Sequence, residues 1–216
     1  MSELWPAVGL SLRIALVATL VTILIGVPVA WAMARRRFVG HGLVEGLILL
    51  PVVLPPTVVG YVLLVLLGAQ SGVGQWLGGY SIAFRFEGAV LAAVVVALPM
   101  LYLPAKAGFA SVERELEDVA TLMGASRWQM FWYVSIPLAR RGLLSGIVLA
   151  FARALGEFGA TVMVFGWQPG RLTLPISVYA QFEQGDLNAA LPAVLVMGVL
   201  SLALVLVYNA MASKRD

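Results

Sequence analysis

The sequence predicts an all-α polytopic membrane protein with five transmembrane helices, and three observations support this fold class. Hydrophobic residues make up 61% of the chain and charged residues only 12%, whereas a soluble domain carries about 25% charged residues. Five segments reach the length of about 20 mostly apolar residues that a helix needs to cross a bilayer. Lys and Arg are concentrated in alternate loops. Lipid is therefore the expected solvent for most side chains.

The five predicted spans and their loops are expected to form a single membrane domain covering residues 1–216. The spans comprise residues 8–34, 46–68, 88–105, 142–166 and 191–211, with one long loop at residues 106–141. The second, third and fifth spans contain no charged residue, whereas the first contains Arg13 and the fourth contains Arg153 and Glu157.

The positions of the basic residues predict the orientation of the chain. One set of loops carries most of them: Arg35, Arg36, Arg37, Lys106, Arg114, Arg127, Arg140, Arg141, Lys214 and Arg215. The opposite side carries only Arg85 and Arg171. Because basic loops stay in the cytoplasm, we expect a multi-pass protein of the cytoplasmic (inner) membrane, with its N-terminus outside and its C-terminus in the cytoplasm. Contact with membrane lipid then explains the net charge of +3 without a nucleic-acid partner.

The long loop contains an amphipathic pattern. Val112, Leu116, Val119 and Met123 recur at spacings of four, three and four, with charged residues between them, which predicts a helix with one apolar face. Such a helix either lies at the lipid headgroups or docks on a partner protein, and its mixed rather than basic polar face favours docking.

Several classes of function lack the residues that they need. The chain has no Cys, one His and no cluster of Asp, Glu and His at ligand spacing, which argues against disulfide, thiol-redox and transition-metal sites. It also lacks the phosphate-binding pattern G-x-x-x-x-G-K-S/T. Two further interpretations stay open on pattern alone: a membrane enzyme, which needs a constellation of polar groups, and a membrane scaffold that docks a partner without transport.

Residues 118–126 and 134–137 resemble the EAA loop of ABC importer permeases, whose pattern is E-A-A, three residues, G, nine residues and I-x-L-P. Gly124 and Val134 stand at the required offsets, while Asp118, Val119 and Ile136 replace Glu, Ala and Leu. The resemblance implies the ABC type I importer permease fold and a coupling helix that sits in a groove of a cytoplasmic ATPase. It assigns this contact to Asp118, Val119, Ala120, Gly124, Val134, Ile136 and Pro137. An acidic side chain suits a basic partner surface, small residues allow close approach, and Pro137 stiffens the re-entry into the membrane.

Three stretches outside the loop extend the resemblance to molybdate permeases: ARRRF at 34–38, LPVVLPPTVVGY at 50–61 and LAFARALGEFGAT at 149–161. Sulfate and tungstate permeases share parts of the second and third. The resemblance implies ATP-driven import of molybdate, with tungstate or sulfate as the alternative substrate. It also implies a homodimer of the permease, a cytoplasmic ABC ATPase dimer that binds ATP, and a periplasmic or surface-tethered oxyanion-binding protein. No cofactor is expected on this chain.

Two features inside the predicted spans are candidates for the translocation path. Arg153 and Glu157 are four residues apart, one turn of a helix, so they are expected to pair within the bilayer. Such a pair either lines the path or holds spans together. Pro51, Pro55 and Pro56 are expected to break or kink the second span, and such breaks border a substrate path or are plain kinks. Ala152, Gly156 and Ala160 are expected to form a small-residue stripe on the fourth span.

Overall fold

The computed structural model describes residues 3–168 and 170–212, and over these ranges the chain forms twelve α-helices and one π-helical turn, without a β-strand. In chain order the helices are α1 (Leu4–Arg35), α2 (His41–Val53), α3 (Pro56–Leu67), α4 (Gly72–Trp76), α5 (Phe86–Ala110), α6 (Arg114–Leu122), α7 (Arg127–Met130), α8 (Ile136–Leu138), α9 (Arg140–Leu155), α10 (Gly159–Phe165), α11 (Leu174–Glu183) and α12 (Leu187–Ala212), with the π turn at Phe131–Ser135 between α7 and α8. Lys214 and Arg215, which contributed to the predicted orientation, lie outside the described residues.

Four helical segments of the described chain are long and apolar enough to cross a membrane: Leu4–Arg35, Pro56–Trp76, Phe86–Ala110 and Leu187–Ala210. A fifth crossing is reached when Arg127–Leu138 and α9 are counted as one span, and these two segments are bent by 78° relative to each other. The predicted fold class, an all-α polytopic membrane protein, is confirmed.

The core of the fold is the mutual packing of α1, α5 and α9. Small side chains fill it, among them the fully buried Ala15, Ala18, Ala93, Ala97, Ala105 and Ala150. Lipid is as apolar as a leucine side chain, so helices in a membrane associate through close contact rather than through hydrophobic burial. Around this core, α10 packs on α3 and α5, while α11 and α12 pack on each other beside α1 and α9.

Glycines set the closest approach between α5 and α9. A Cβ atom added to Gly142 would lie 2.5 Å from the carbonyl oxygen of Pro104 and 2.8 Å from the Cα atom of Gly108. A Cβ atom on Gly146 would lie 2.8 Å from the carbonyl oxygen of Leu101. Because these neighbours are backbone atoms that cannot rotate away, only glycine fits at both positions.

The second predicted span is broken rather than continuous. α2 ends at Val53, Leu54 and Pro55 are extended with ψ angles of 141° and 133°, and α3 begins at Pro56. Pro55 disfavours a helical conformation at Leu54, while Pro56 occupies the first turn of α3, where its missing N–H group is not needed. Pro51 lies inside α2.

The prediction of one continuous helix at residues 142–166 is wrong, because α9 ends at Leu155 and α10 begins only at Gly159. The Glu157 carboxylate accepts a hydrogen bond from the Ala160 N–H group at 2.7 Å and so starts a new helix. The predicted stripe of Ala152, Gly156 and Ala160 therefore does not lie on one helix. The predicted start of the long loop is also displaced, since α5 continues past Lys106 to Ala110.

We expect Gly142→Ala to destabilise the folded protein by about 1–3 kcal/mol, because α9 must move away from α5 to admit the methyl group. Gly46→Ala in α2 is the matched control, since a Cβ atom there has no neighbour within 4 Å, and it should stabilise the helix by up to about 1 kcal/mol. Thermal unfolding in detergent measures both. Equal unfolding temperatures for the two variants would contradict the close contact.

Candidate functional site

The α5–α9 loop, residues 111–139, presents an uncovered apolar surface on α6. Leu122 and Met123 are 88% and 83% exposed, and Leu116 and Val119 are about half exposed. The sequence predicted one apolar face that also included Val112, but Val112 precedes α6 and is buried in the core. The face therefore divides, with Val112 turned inward and the apolar side chains of α6 turned outward.

α6 ends in a turn that requires glycine at position 124. Gly124 has φ +89°, its N–H group donates to the Thr121 carbonyl at 2.9 Å, and the next N–H group, of Ala125, donates to the Ala120 carbonyl at 3.0 Å. These two bonds form a Schellman cap, in which a left-handed residue satisfies the last carbonyl groups of the helix. A Cβ atom on Gly124 would have no neighbour within 4 Å. Within this chain, the glycine is thus needed for its backbone conformation, and the space around it is open.

The second half of the loop is anchored by aromatic packing. Ser126 and Gln129 form a capping box that starts α7. Phe131, only 3% exposed, then packs against Trp31 of α1 and Phe109 of α5, with ring centroids 5.1 and 6.2 Å away.

The assigned residues of this second half differ in burial. Val134 is half-buried, and Ile136 is half-buried against the core. Pro137 is exposed, and the chain turns toward α9 two residues after it, at Ala139.

A buried carboxylate ties the loop to α1. The Arg35 guanidinium contacts both carboxylate oxygens of Glu117, with Nε 2.9 Å from Oε2 and Nη2 3.0 Å from Oε1. The Ser135 hydroxyl donates to the same carboxylate at 2.6 Å. Asp118, the acidic residue that the resemblance assigned to partner contact, is exposed beside it, while Ala120 is half-buried.

Sequence reasoning missed the role of Glu117. It stands among Glu113, Arg114, Glu115 and Asp118, all of which are exposed. Its partner is 82 residues away in the sequence, and no local spacing distinguishes it from its charged neighbours.

A second link joins α2 to α5. The Lys106 ammonium forms an ion pair with Glu45, and the Tyr102 hydroxyl donates to the same carboxylate at 3.3 Å. The hydrogen bond from Lys106 holds the pKa of the Glu45 carboxyl below its usual range. α2 has no fully buried residue, and this polar contact adds to the packing of its partly buried Ile48 and Leu49 against the core.

Arg153 and Glu157 form an ion pair at the end of α9. The Glu157 side chain is almost fully buried, whereas that of Arg153 is 28% exposed. One oxygen of Glu157 faces Arg153 and the other caps α10. The carboxylate is therefore satisfied on both sides, as a buried charge must be.

The two helix breaks lie side by side. A Cβ atom on Gly159, at the start of α10, would lie 2.9 Å from the Cβ atom of Pro56 and 3.2 Å from the nitrogen of Thr57. A Cβ atom on Gly60 would lie 2.7 Å from the Cα atom of Ala160. The structure thus brings the Pro55–Pro56 break next to the Glu157 break.

Comparison with known proteins identifies relatives over most of the chain. The model of the family described as "Binding-protein-dependent transport system inner membrane component" matches residues 14–215. The "Putative molybdenum transport system permease protein YvgM" of Bacillus subtilis is 42% identical over 204 residues, which cover 93% of this chain and 90% of that protein. The "Molybdenum transport system permease protein ModB" of Escherichia coli K12 is 40% identical over 193 residues, which cover 86% of this chain and 84% of that protein.

A solved structure shares the fold. A chain in the crystal structure of a bacterial alginate ABC transporter, in complex with an alginate pentasaccharide-bound periplasmic protein, superposes with a TM-score of 0.74. The alignment covers 99% of this chain and 80% of that chain at 18% identity. The expected ABC type I importer permease fold is confirmed.

We expect Glu157→Ala to destabilise the protein by about 3 kcal/mol, because it leaves Arg153 without its partner and the Ala160 N–H group without its acceptor. Glu157→Gln should cost less, since an amide oxygen still caps α10. Glu87→Ala, at an exposed glutamate in the first turn of α5, is the control and should change stability by less than about 1 kcal/mol. Thermal unfolding in detergent ranks the three variants. A Glu157→Ala protein as stable as the control would contradict the dual role of the carboxylate.

Proposed function

This chain belongs to the family of binding-protein-dependent transport system inner membrane components, and we propose that it is the permease subunit of an ATP-driven importer that moves molybdate across the inner membrane. The names of its relatives in Bacillus subtilis and Escherichia coli support molybdate as the substrate. Tungstate and sulfate are tetrahedral dianions like molybdate, so they are the alternative substrates. The family consists of transport components, which favours transport over the enzyme and scaffold interpretations.

The observation that carries this proposal is the exposed apolar surface of α6. Beside it, a cleft of about 310 Å³ is lined by Met123, Gly124, Ala125, Gln129, Tyr133 and Val134. Exposed apolar patches on folded proteins mark interaction sites. The cleft has room for a side chain of a partner at the position where Gly124 leaves open space. We assign this surface, with Asp118 at its edge, to a cytoplasmic ABC ATPase dimer.

The free energy needed to move the anion inward supports an ATPase on a separate subunit. Moving a dianion inward against an interior-negative potential costs roughly 2.3 kcal/mol per charge per 100 mV, hence about 5 kcal/mol before any concentration gradient. The sequence has no G-x-x-x-x-G-K-S/T pattern, so the ATP that supplies this energy is bound and hydrolysed by the partner. This chain then acts as a permease without catalysis and without a cofactor of its own.

The path itself is proposed to lie between two copies of the chain. Four or five spans are few for a closed pathway, and a two-fold homodimer doubles them. The adjacent breaks at Pro55–Pro56 and Glu157 are the candidates for the path wall, because irregular backbone at membrane depth is tolerated where it is buried in protein or lines a cavity. A purely structural role for Arg153 and Glu157 is the alternative.

The chain is also proposed to have a fixed orientation in the membrane and to receive the oxyanion from a separate protein. The distribution of basic residues supports an N-terminus outside and a C-terminus in the cytoplasm. A periplasmic or surface-tethered binding protein would then deliver the oxyanion to the outer side. Capture of the oxyanion by a separate protein suits a chain with few basic residues on that side. Tight binding by the permease itself would hinder release of the oxyanion into the cytoplasm.

Reconstitution tests the whole proposal. Liposomes that contain this chain and its ATPase should hydrolyse ATP and take up molybdate when the loaded binding protein is added. Absence of stimulated hydrolysis would contradict the importer assignment. Uptake of tungstate or sulfate in place of molybdate would keep the importer and change its substrate.

We expect Gly124→Trp to abolish uptake while the permease remains inserted in the membrane, because the indole fills the space left for the ATPase. Gly40→Trp is a matched control: Gly40 has φ +90° and open surroundings, as Gly124 does, and lies before α2. Both variants carry the strain of a left-handed non-glycine residue, about 1–2 kcal/mol. Uptake assays on membrane vesicles, normalised to the amount of permease, compare them. Normal uptake by Gly124→Trp would contradict the assignment of α6 to the ATPase contact.

A further inference from the structure

The ion pair between Arg35 and Glu117 connects the α5–α9 loop to the first membrane helix, and we propose that it transmits movement of α6 to α1. Glu117 is then a positioning residue. Its contact with Arg35 keeps the amount of anion transported proportional to the amount of ATP hydrolysed. This inference rests on the proposed function, in which α6 receives its movement from the ATPase.

The pair is built as a rigid joint. Arg35 is the last residue of α1, and its guanidinium holds the Glu117 carboxylate through two oxygens. Arg35 Nη2 also donates to the Val112 carbonyl at 3.0 Å, and the Ser135 hydroxyl completes the set of donors around the carboxylate. The two side chains are only 11% and 9% exposed. A bidentate, largely desolvated pair fixes direction as well as distance.

The surroundings of α6 explain why such a joint matters. α6 packs on α7 and on the π turn, which belong to the same loop, and its apolar side chains point away from the protein. A force on those side chains would tilt a helix held only by its own loop. The Arg35–Glu117 pair gives the helix an attachment to a membrane helix, at the residue where α1 ends.

α1 is suited to receive this movement. It packs along α5 and α9 and also contacts α11, so a displacement of Arg35 acts on the centre of the fold. Removing one partner of a buried pair leaves an uncompensated charge. The joint therefore resists separation, and α6 and α1 are expected to move as one body.

A weaker contact between Arg35 and Glu117 should lower the number of anions transported per ATP hydrolysed. Glu117→Gln keeps the size and a hydrogen-bond acceptor but loses the charge, and Arg35→Lys keeps the charge but loses the bidentate contact. Glu115→Gln and Arg36→Lys make the same chemical changes at exposed neighbours. We expect the two joint variants to lower the ratio at least about fivefold, the lower end of usual coupling between sites, and the two controls to retain it.

The measurement uses the complete transporter in liposomes, with uptake and phosphate release followed in the same sample. A purely structural pair would lower assembly and activity together and leave the ratio unchanged. If the unchanged protein takes up the anion, and Glu117→Gln and Arg35→Lys transport as many anions per ATP as it does, this inference is overturned while the proposed function stands. Loss of assembly in both variants would assign the pair to folding and also overturn it. No ATP-driven uptake by the unchanged protein would overturn the proposed function and this inference with it.

A distance measurement tests the joint directly. The chain has no cysteine, so cysteines placed at the exposed positions Arg37 and Arg114, outside the apolar surface of α6, can carry two spin labels. In the otherwise unchanged complex, the distance between the labels should stay the same when ATP binds. In the presence of Glu117→Gln it should shift or broaden. A distance that changes with ATP while Glu117 is intact would show that α6 moves independently of α1, contrary to the proposal.

Discussion

Helices in a bilayer gain little from burying apolar side chains against one another, because the lipid around them is equally apolar. The fold therefore depends on how closely the backbones approach. In the α1–α5–α9 core this approach is set by buried alanines and by Gly142 and Gly146, which lie against the backbone of α5. The remaining helices are arranged around this core, and so are the features that the function uses.

The second consequence of a lipid solvent is that every backbone polar group needs a partner inside the protein. The chain meets this demand differently at its two breaks. At Pro55–Pro56, a proline in the first turn of α3 removes an N–H group that would otherwise lack a partner. At the other break, the Glu157 carboxylate supplies the missing acceptor and Arg153 balances its charge. Packing of Gly159 against Pro56 then places both irregular segments in one region.

Much of the architecture was predictable because it is local in sequence. The apolar segments, the proline break and the amphipathic residues of α6 are patterns within about 20 residues, and the fold class followed from them. The break before α10 was not predictable in the same way. Glu157 was interpreted as a helical neighbour of Arg153, whereas its second oxygen caps a new helix. Glu117 was missed because its partner, Arg35, is distant in sequence, and Val112 was placed on the wrong face because α6 begins two residues later.

The unbroken length of α1 determines where the α5–α9 loop lies relative to the lipid. Its 32 residues rise about 1.5 Å each and span about 48 Å, compared with about 40–45 Å for a bilayer including both headgroup layers. A tilt of about 20° still leaves the helix as long as the whole membrane is thick. With Leu4 at one membrane surface, α1 is long enough to carry Arg35 to the other. In the proposed orientation, the segment that Arg35 holds then lies at the cytoplasmic surface, where the apolar side chains of α6 are within reach of a soluble partner.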